Sequence, residues 1–401
     1  MISDPAALLA FMFGVIAFAR FLEGRVAFVK KISSAVVCTL LGMLLGNIGV
    51  LPHEGPVNEG VYDFAVPYSI VLVILASNLR ELKQAGTRML GCFALATVAT
   101  FVACVAAGLL FARAIGPETW KISGQFAGAF VGGGMNFVAV GRGLETSPSL
   151  FAAASVADNL STVPYMLAQM GLAAILTARF RAVPIWRRNA TAATLAATSS
   201  DASVTLPADI GNGPSNDTPR DPRRFWTDAE ISISDLAILA AAPLAAIWLS
   251  ARLAPLIPGF PTVLWLTTLA FVAAQFPFFR TVKGASVLSY FALHLFFIVI
   301  GAGAVFAEVL KAGPALFVYM LVILVIHVVL AYGVAWLVGY DIPNISIASQ
   351  AAVGGPGSAL ALSMAMNWPA LATPGIIVGI LGYAIGNYVG FGCAYLLRGY
   401  M

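Results

Sequence analysis

Asp158 is a carboxylate inside an otherwise apolar run, "FAAASVADNLSTVPYMLAQM". A charge at that depth in a bilayer is costly, so a carboxylate there points to a cation or a proton that it carries. Asn159, Ser161 and Thr162 add oxygen atoms within a turn of it, a donor set suited to Na⁺. A structural hydrogen bond from Asp158 to neighbouring backbone is the alternative. Two glycine clusters are the second feature with chemical content. "FVGGGMNFVAVG" holds Gly132, Gly133 and Gly134 followed by Asn136, and "ASQAAVGGPGSALALS" holds Ser349, Gln350, Gly354, Gly355, Pro356 and Ser358. Glycine runs weaken a helix, and an unwound turn releases N–H and carbonyl groups that can coordinate an ion or a solute. Pro356 removes a backbone donor and makes the second break the firmer one. Close helix packing is the plainer reading of any one glycine pair.

The elements that must position these groups are membrane helices. Of the 401 residues 60% are hydrophobic and 10% charged, and the mean hydropathy is +0.90. Runs such as Leu90 to Ala112 carry no charge and exceed the roughly 20 residues that span a bilayer as a helix. No alternating strands of about 10 residues argue for a barrel. The fold class expected is all-α and polytopic. Asp4 and the lack of a basic residue before the first apolar run argue against a cleavable signal. Cys38, Cys92, Cys104 and Cys393 lie singly in apolar runs and read as small buried hydrophobes. His294 and His327, each alone on an apolar segment, read as hydrogen-bonded packing residues. No P-loop, catalytic triad, HExxH or CxxC is present, so neither ATP-driven transport nor an enzyme is supported. The net charge of +4 sits in loops and reports topology rather than nucleic-acid binding.

Six apolar segments precede a polar stretch: Ala6 to Leu22, Ser33 to Leu51, Phe64 to Leu79, Leu90 to Ala112, Gly124 to Val140 and Leu150 to Leu176. Six follow it: Leu236 to Leu253, Phe260 to Phe276, Val287 to Phe306, Ala315 to Val338, Ile345 to Met366 and Ala370 to Leu397. The domains expected are a first membrane repeat at 1–178, a flexible and cytoplasmic linker at 179–235, and a second repeat at 236–401. A shift of 222 residues lays Gly132 and Gly133 on Gly354 and Gly355, and Asn136 on Ser358. Interrupted segments at matching positions of two halves point to a transporter's binding site. In the sixth segment of the second half, Tyr383 and Asn387 lie at the depth of Asp158, with no acid.

Charge placement contains a conflict. Arg25, Lys30, Lys31, Arg80, Lys83 and Arg88 put the loops after segments one and three in the cytoplasm, and Arg280 and Lys283 do the same for the loop after segment eight. The halves are then inverted. Six simple crossings, however, leave Arg179, Arg181, Arg187 and Arg188 outside, whereas the second half needs the linker inside. One crossing is miscounted, and Gly124 to Leu176, with breaks at Gly132 and Pro164, is where it is expected.

"GGGMNFVAVGRGL", "VADNLSTVPY" and "ASQAAVGGPGSALALSMAMNWPALATPGIIVGILGYAIGNYVG" resemble the YjcL-like family of membrane proteins, which is related to cation-proton antiporters and sodium-coupled anion transporters. The resemblance covers most of the chain apart from the linker. It implies inverted repeats, a core domain with two crossed discontinuous helices, an elevator movement against a panel domain, a homodimer and a bacterial inner membrane. Asp158-Asn159 falls where antiporters keep an acidic or Asn-Asp pair on the helix after the first break; here the order is Asp then Asn. The function expected is Na⁺-coupled symport of a small organic anion or amino-acid-like solute. Asp158 and Asn159 would hold Na⁺, with Asn136, Thr162, Ser349, Gln350, Ser358, Asn387 and the glycine clusters around the solute and ion. The only coupling partner is Na⁺ or H⁺, with no other cofactor. Cation-proton antiport by Asp158, or a non-transporting sensor or scaffold, are the alternatives.

Overall fold

The structure, a computed structural model, describes residues 2, 4–75, 82–180, 231–257 and 260–401. Its regular structure is helical, with no strand among the described residues, and each of the twelve apolar segments has its helix. In chain order they are α1 (Pro5–Arg25), α2 (Ala27–Asn47), α3 (Pro56–Leu75, passing through a π-turn at Val61–Ala65), α4 (Leu82–Ile115), α5 (Thr119–Gly132), α6 (Gly134–Gly143), α7 (Pro148–Phe180), α8 (Ile233–Leu253), α9 (Thr262–Ala273), α10 (Ala285–Ala302), α11 (Phe306–Val338), α12 (Ile342–Ala365) and α13 (Ala372–Arg398). The expected linker, from 181 to 230, lies outside the described residues, as do Arg80, Arg181, Arg187 and Arg188.

Eight of these helices, α1, α3, α4, α7, α8, α10, α11 and α13, are long and apolar enough to cross a membrane, and α2 and α9 contain shorter apolar stretches. The glycine-broken segments behave differently. α5 has 14 residues and α6 has 10, so at 1.5 Å per residue each is only about 15–21 Å long, short of a ~30 Å hydrocarbon core. They do not continue one another. The Phe126 and Phe137 rings meet edge to face with centroids 5.7 Å apart, and the Gln125 amide reaches the Phe137 carbonyl at 3.5 Å. Residues eleven or twelve apart on a straight helix would be separated by about 17 Å. The chain therefore folds back at Gly133, and α5–α6 is a helical hairpin.

The same happens in α12. Gly355 interrupts it with φ 76° and ψ −174°, and Gly133 has φ 76° and ψ −178°. The two turns, 222 positions apart, have one backbone conformation, in a region that only glycine enters freely. Across this second hairpin Ser358 Oγ donates to the Gln350 carbonyl at 3.2 Å. A Cβ placed on Gly375 would touch both Ile347 and Ala359, one from each leg. The break expected at Gly132 to Gly134 and at Gly354 to Gly357 is present in both halves. Its geometry differs from two interrupted rods that cross, because each pair of half-helices returns to the end from which it came. Pro164 makes no break: α7 runs through it.

α13 is the spine on which both hairpins lean. A Cβ on Gly124 would lie 2.8 Å from the Gly390 carbonyl oxygen, one on Gly386 2.9 Å from that of Gly128, and one on Gly132 2.5 Å from that of Gly382. These pairs run in opposite directions along the two chains, so α5 and α13 are antiparallel and packed backbone to backbone, the close approach that small residues permit in membranes. Nearer the start of α13, Gly375 packs against the legs of the second hairpin, and a Cβ on Gly379 would lie 2.7 Å from Pro356 at its tip. The two hairpins thus approach α13 from its opposite ends.

The helices sort into two bundles. α1, α2, α3, α8, α9 and α10 pack chiefly among themselves, as do α4, α7, α11, α13 and the two hairpins. Each half of the chain contributes its first three helices to one bundle and the rest to the other.

Candidate functional site

The two turns meet. A Cβ on Gly133 would lie 3.4 Å from Tyr383 Cε1, and one on Gly355 would lie 3.5 Å from the Tyr383 hydroxyl and 4.0 Å from the same Cε1. One tyrosine ring on α13 thus lies against both tips. Gly132, Gly133 and Gly134 have separate roles there. Gly132 is pressed against α13, Gly133 makes the turn, and Gly134 is exposed with open space where a side chain would go.

At each tip two helix ends face one point. α5 and the first leg of α12 end there, and α6 and the second leg of α12 begin there. Helix starts carry unpaired N–H groups and partial positive charge, and helix ends carry unpaired carbonyls and partial negative charge. The tips together offer both signs without an ionised side chain. Their bases are tied on the far side. Ser147 N donates to Glu118 Oε2 at 3.0 Å and Lys121 Nζ to the Glu145 carbonyl at 2.8 Å, closing the first hairpin. Asp341 accepts from Asn344 N at 2.9 Å and pairs with Arg88 at 3.3 Å at the start of the second.

Beside the tips lies a crevice too narrow to hold a water molecule, lined by Ile70, Val73 and Ile74 of α3, Met135 and Asn136 of α6, and Tyr383 and Asn387 of α13. It runs along the seam between the two bundles. Asn136 Nδ2 donates to the Tyr383 carbonyl at 3.1 Å, and its amide fits where Gly132 and Gly386 leave room. Asn136 therefore locks the first hairpin to α13 as well as lining the crevice. Asn387 Nδ2 donates to Thr267 Oγ1 at 2.8 Å, which leaves its buried Oδ1 without a partner.

Hydrogen-bond accounting separates the remaining candidates. Buried polar groups are nearly always paired, so an unpaired one calls for an explanation. Ser349 belongs to a closed network. His327 Nδ1 lies 2.9 Å from Thr100 Oγ1, which is 3.2 Å from the Phe130 carbonyl. His327 Nε2 lies 2.8 Å from Ser349 Oγ. Ser349 Oγ is 2.6 Å from the Tyr165 hydroxyl and 2.9 Å from Gln169 Nε2. Tyr332 joins Gln169 Oε1 to Ser346 Oγ. A neutral His327 protonated on Nδ1 satisfies every member, an assignment made from the network. Gln350, one residue on, is the opposite. It is 0% exposed, and neither atom of its amide has a partner. Its Nε2 would be 2.8 Å from a Cβ on Gly354. Ser358 Oγ, spent on the Gln350 and Gly355 carbonyls, closes the hairpin.

Asp158 is half-buried about ten residues into α7. Its carboxylate has no hydrogen-bond or ion-pair partner among the described residues; its main-chain oxygen accepts from Ser161 Oγ at 2.6 Å. Asn159 donates to the Ser155 carbonyl at 2.8 Å, and Thr162 is half-buried. The site residues thus fall into three groups. Gly132, Gly133, Gly134, Asn136, Asn387, Gly354, Gly355 and Pro356 gather at the tips, with Gln350 and Ser358 in the second hairpin. Ser349 belongs to the network. Asp158, Asn159 and Thr162 stand on α7, one face of which carries Asp158, Tyr165 and Gln169 at helical spacing. That spacing was the available signal for Tyr165 and Gln169. Thr100 had none, since its role depends on the approach of two other helices, α5 and α11.

Replacing Ser349 by alanine is expected to strand three partners on two helices, His327 of α11 and Tyr165 and Gln169 of α7. Thermal unfolding of the purified protein should show a loss of about 1–3 kcal/mol, with solute affinity unchanged. Unchanged stability with lost affinity would make Ser349 a ligand.

A family model described as "Protein of unknown function (DUF819)" matches residues 7–400. The chain is also 29% identical over 383 residues to the "Uncharacterized membrane protein YjcL" of Bacillus subtilis (strain 168), with 92% of this chain and 91% of the relative covered.

Proposed function

The chain belongs to the DUF819 family, and from that premise we propose that this membrane protein is a secondary active transporter, coupling Na⁺ to the movement of a small organic anion or amino-acid-like solute. The observation that carries the reading is the meeting of two glycine-turned hairpin tips at Tyr383, beside a seam between two bundles. Broken helices at matching positions of two halves are a transporter's way of placing backbone charge within the bilayer. We propose transport rather than catalysis, because what converges at the tips is amides, a phenol and helix ends.

The hairpins also remove the charge conflict in the sequence. A segment that returns to its own side leaves five crossings in each half, and an odd number places successive halves in opposite orientation. With Arg25 and Arg88 in the cytoplasm, the linker and Lys283 then fall there too. The first hairpin enters from outside and the second from inside, which agrees with their approach to α13 from opposite ends. The bundle of α4, α7, α11, α13 and the hairpins is the proposed moving core of an elevator. The bundle of α1 to α3 and α8 to α10 is the proposed panel, through which a homodimer in a bacterial inner membrane would form. Asp158 is the proposed Na⁺ ligand, with Asn159 and Thr162 beside it.

Reconstituted into proteoliposomes, the protein is expected to accumulate a labelled carboxylate solute when Na⁺ is high outside, and to lose that uptake when K⁺ replaces Na⁺. A cation gradient that moves internal pH with no solute present would instead establish proton exchange by Asp158. Absence of both fluxes would remove the transporter reading.

A further inference from the structure

The tip of the second hairpin has two polar side-chain groups with nothing to bind. Gln350 is 0% exposed, and both amide atoms are unpartnered beside Gly354. The Tyr383 hydroxyl would lie 3.5 Å from a Cβ on Gly355 and has no hydrogen-bond partner among the described residues. The neighbouring polar side chains are otherwise engaged: Ser358 within the hairpin, Ser349 in its network, and Asn136 on the Tyr383 carbonyl. At the same turn the second leg of α12 begins. Pro356 has no N–H to offer, so the first free donors are those of the two residues after it.

We propose that this tip is the subsite for the solute's carboxylate, held by Gln350 Nε2, the Tyr383 hydroxyl and the start of the second leg. The proposal rests on the transporter reading and specifies one of its ligands. The donor set selects the ligand class. An N–H of a neutral amide, a phenol O–H and a helix start all donate, and a group that accepts from all three is an anion. No lysine or arginine is needed, which keeps the site free of a fixed positive charge when the solute leaves. Tyr383 also touches the Gly133 tip, so its ring sets how far a solute anchored at the second hairpin can extend towards the first. Gln350 Oε1 remains for a hydroxyl, an ammonium or the coupling cation.

The test is binding to the purified full-length protein in detergent, read as a shift in unfolding temperature with sodium succinate or sodium glutamate against sodium chloride at equal ionic strength. At least one carboxylate should stabilise the wild type. Tyr383→Phe, which removes one oxygen and keeps the ring, should weaken that carboxylate about tenfold. Gln350→Glu should abolish binding through like charge, while the ligand-free unfolding temperatures of both variants show that each is folded. Unchanged affinity in a folded Tyr383→Phe and Gln350→Glu, or no stabilisation of the wild type by either carboxylate, overturns the proposal. Carboxylate binding weakened in Tyr383→Phe and abolished in Gln350→Glu, without flux in proteoliposomes, keeps this subsite and rejects the transporter reading. Flux with unaltered affinity in both variants does the reverse.

Discussion

Leucine at Gly133 is expected to abolish solute flux, whereas alanine at the adjacent Gly134 should leave it nearly intact. Gly133 holds φ 76° and ψ −178°, a conformation essentially confined to glycine, and a side chain forced there stores about 1–3 kcal/mol of strain. The leucine would also start from a Cβ 3.4 Å from Tyr383 Cε1, so the rest of the side chain intrudes on the point where both tips meet. The cheapest relief is to open the turn, which removes the hairpin end from α13. Gly134 is the first residue of α6, and a Cβ on it would have no neighbour within 4 Å. Gly132→Ala should fail differently: its Cβ would be 2.5 Å from the Gly382 carbonyl oxygen, so misfolding rather than a folded inactive protein is expected. Flux in proteoliposomes and monodispersity in detergent separate the three outcomes. Unimpaired flux in a folded Gly133→Leu protein would return this stretch to ordinary helix packing.

Asp158→Asn should make the protein more stable and uncoupled at once. The carboxylate is half-buried in α7 with no protein partner among the described residues. A charged aspartate deep in a membrane helix costs about 2.5–3.5 kcal/mol on insertion scales. Asparagine has nearly the same shape and no charge, so a rise in unfolding temperature is expected without Na⁺. The same substitution deletes the proposed Na⁺ ligand, a loss of at least about 1.5–3 kcal/mol if that contact resembles a charged hydrogen bond, or roughly tenfold to a hundredfold in Na⁺ dependence. Opposite signs for stability and activity are the signature of a functional residue that the fold tolerates at a cost. A fall in stability would favour a structural hydrogen bond made by Asp158. Intact Na⁺-coupled uptake would show that Asp158 is not the coupling residue.

Much of the fold was legible because its causes are local. Apolar runs long enough to leave water become helices wherever a bilayer forbids unpaired backbone, and all twelve did. The two breaks were legible because three glycines in one run and a Gly-Gly-Pro-Gly in another suit nothing regular. What the break did to the chain was not. Nothing local to Gly133 tells a kink that continues across the bilayer from a turn that doubles back. The choice depends on Gly382, Gly386 and Gly390 of α13, some 250 residues away, which present a bare surface to Gly124, Gly128 and Gly132. On the proposed topology, the charge pattern registers the outcome as a crossing too many between Gly124 and Leu176. Composition offered Pro164 and glycine equally as its cause, and Pro164 sits quietly inside α7.

The candidate site divided in the same way. Ser349 and Gln350 are adjacent and equally polar, and the sequence has no means of ranking them. A helix sends neighbouring side chains about 100° apart, and only the packed structure shows that one meets Tyr165, Gln169 and His327 while the amide of the other is left without a hydrogen-bond partner. By itself the sequence determined that the chain lives in a membrane, that two glycine breaks recur at a spacing of 222, and that Asp158 is out of place in its helix. These follow from residue type and periodicity along one strand of chain. That both turns come to rest on Tyr383, that Asn136 is a lock, and that Gln350 is the unpaired amide were decided by tertiary structure alone. Each is a statement about which groups are left without partners once distant helices have closed around them.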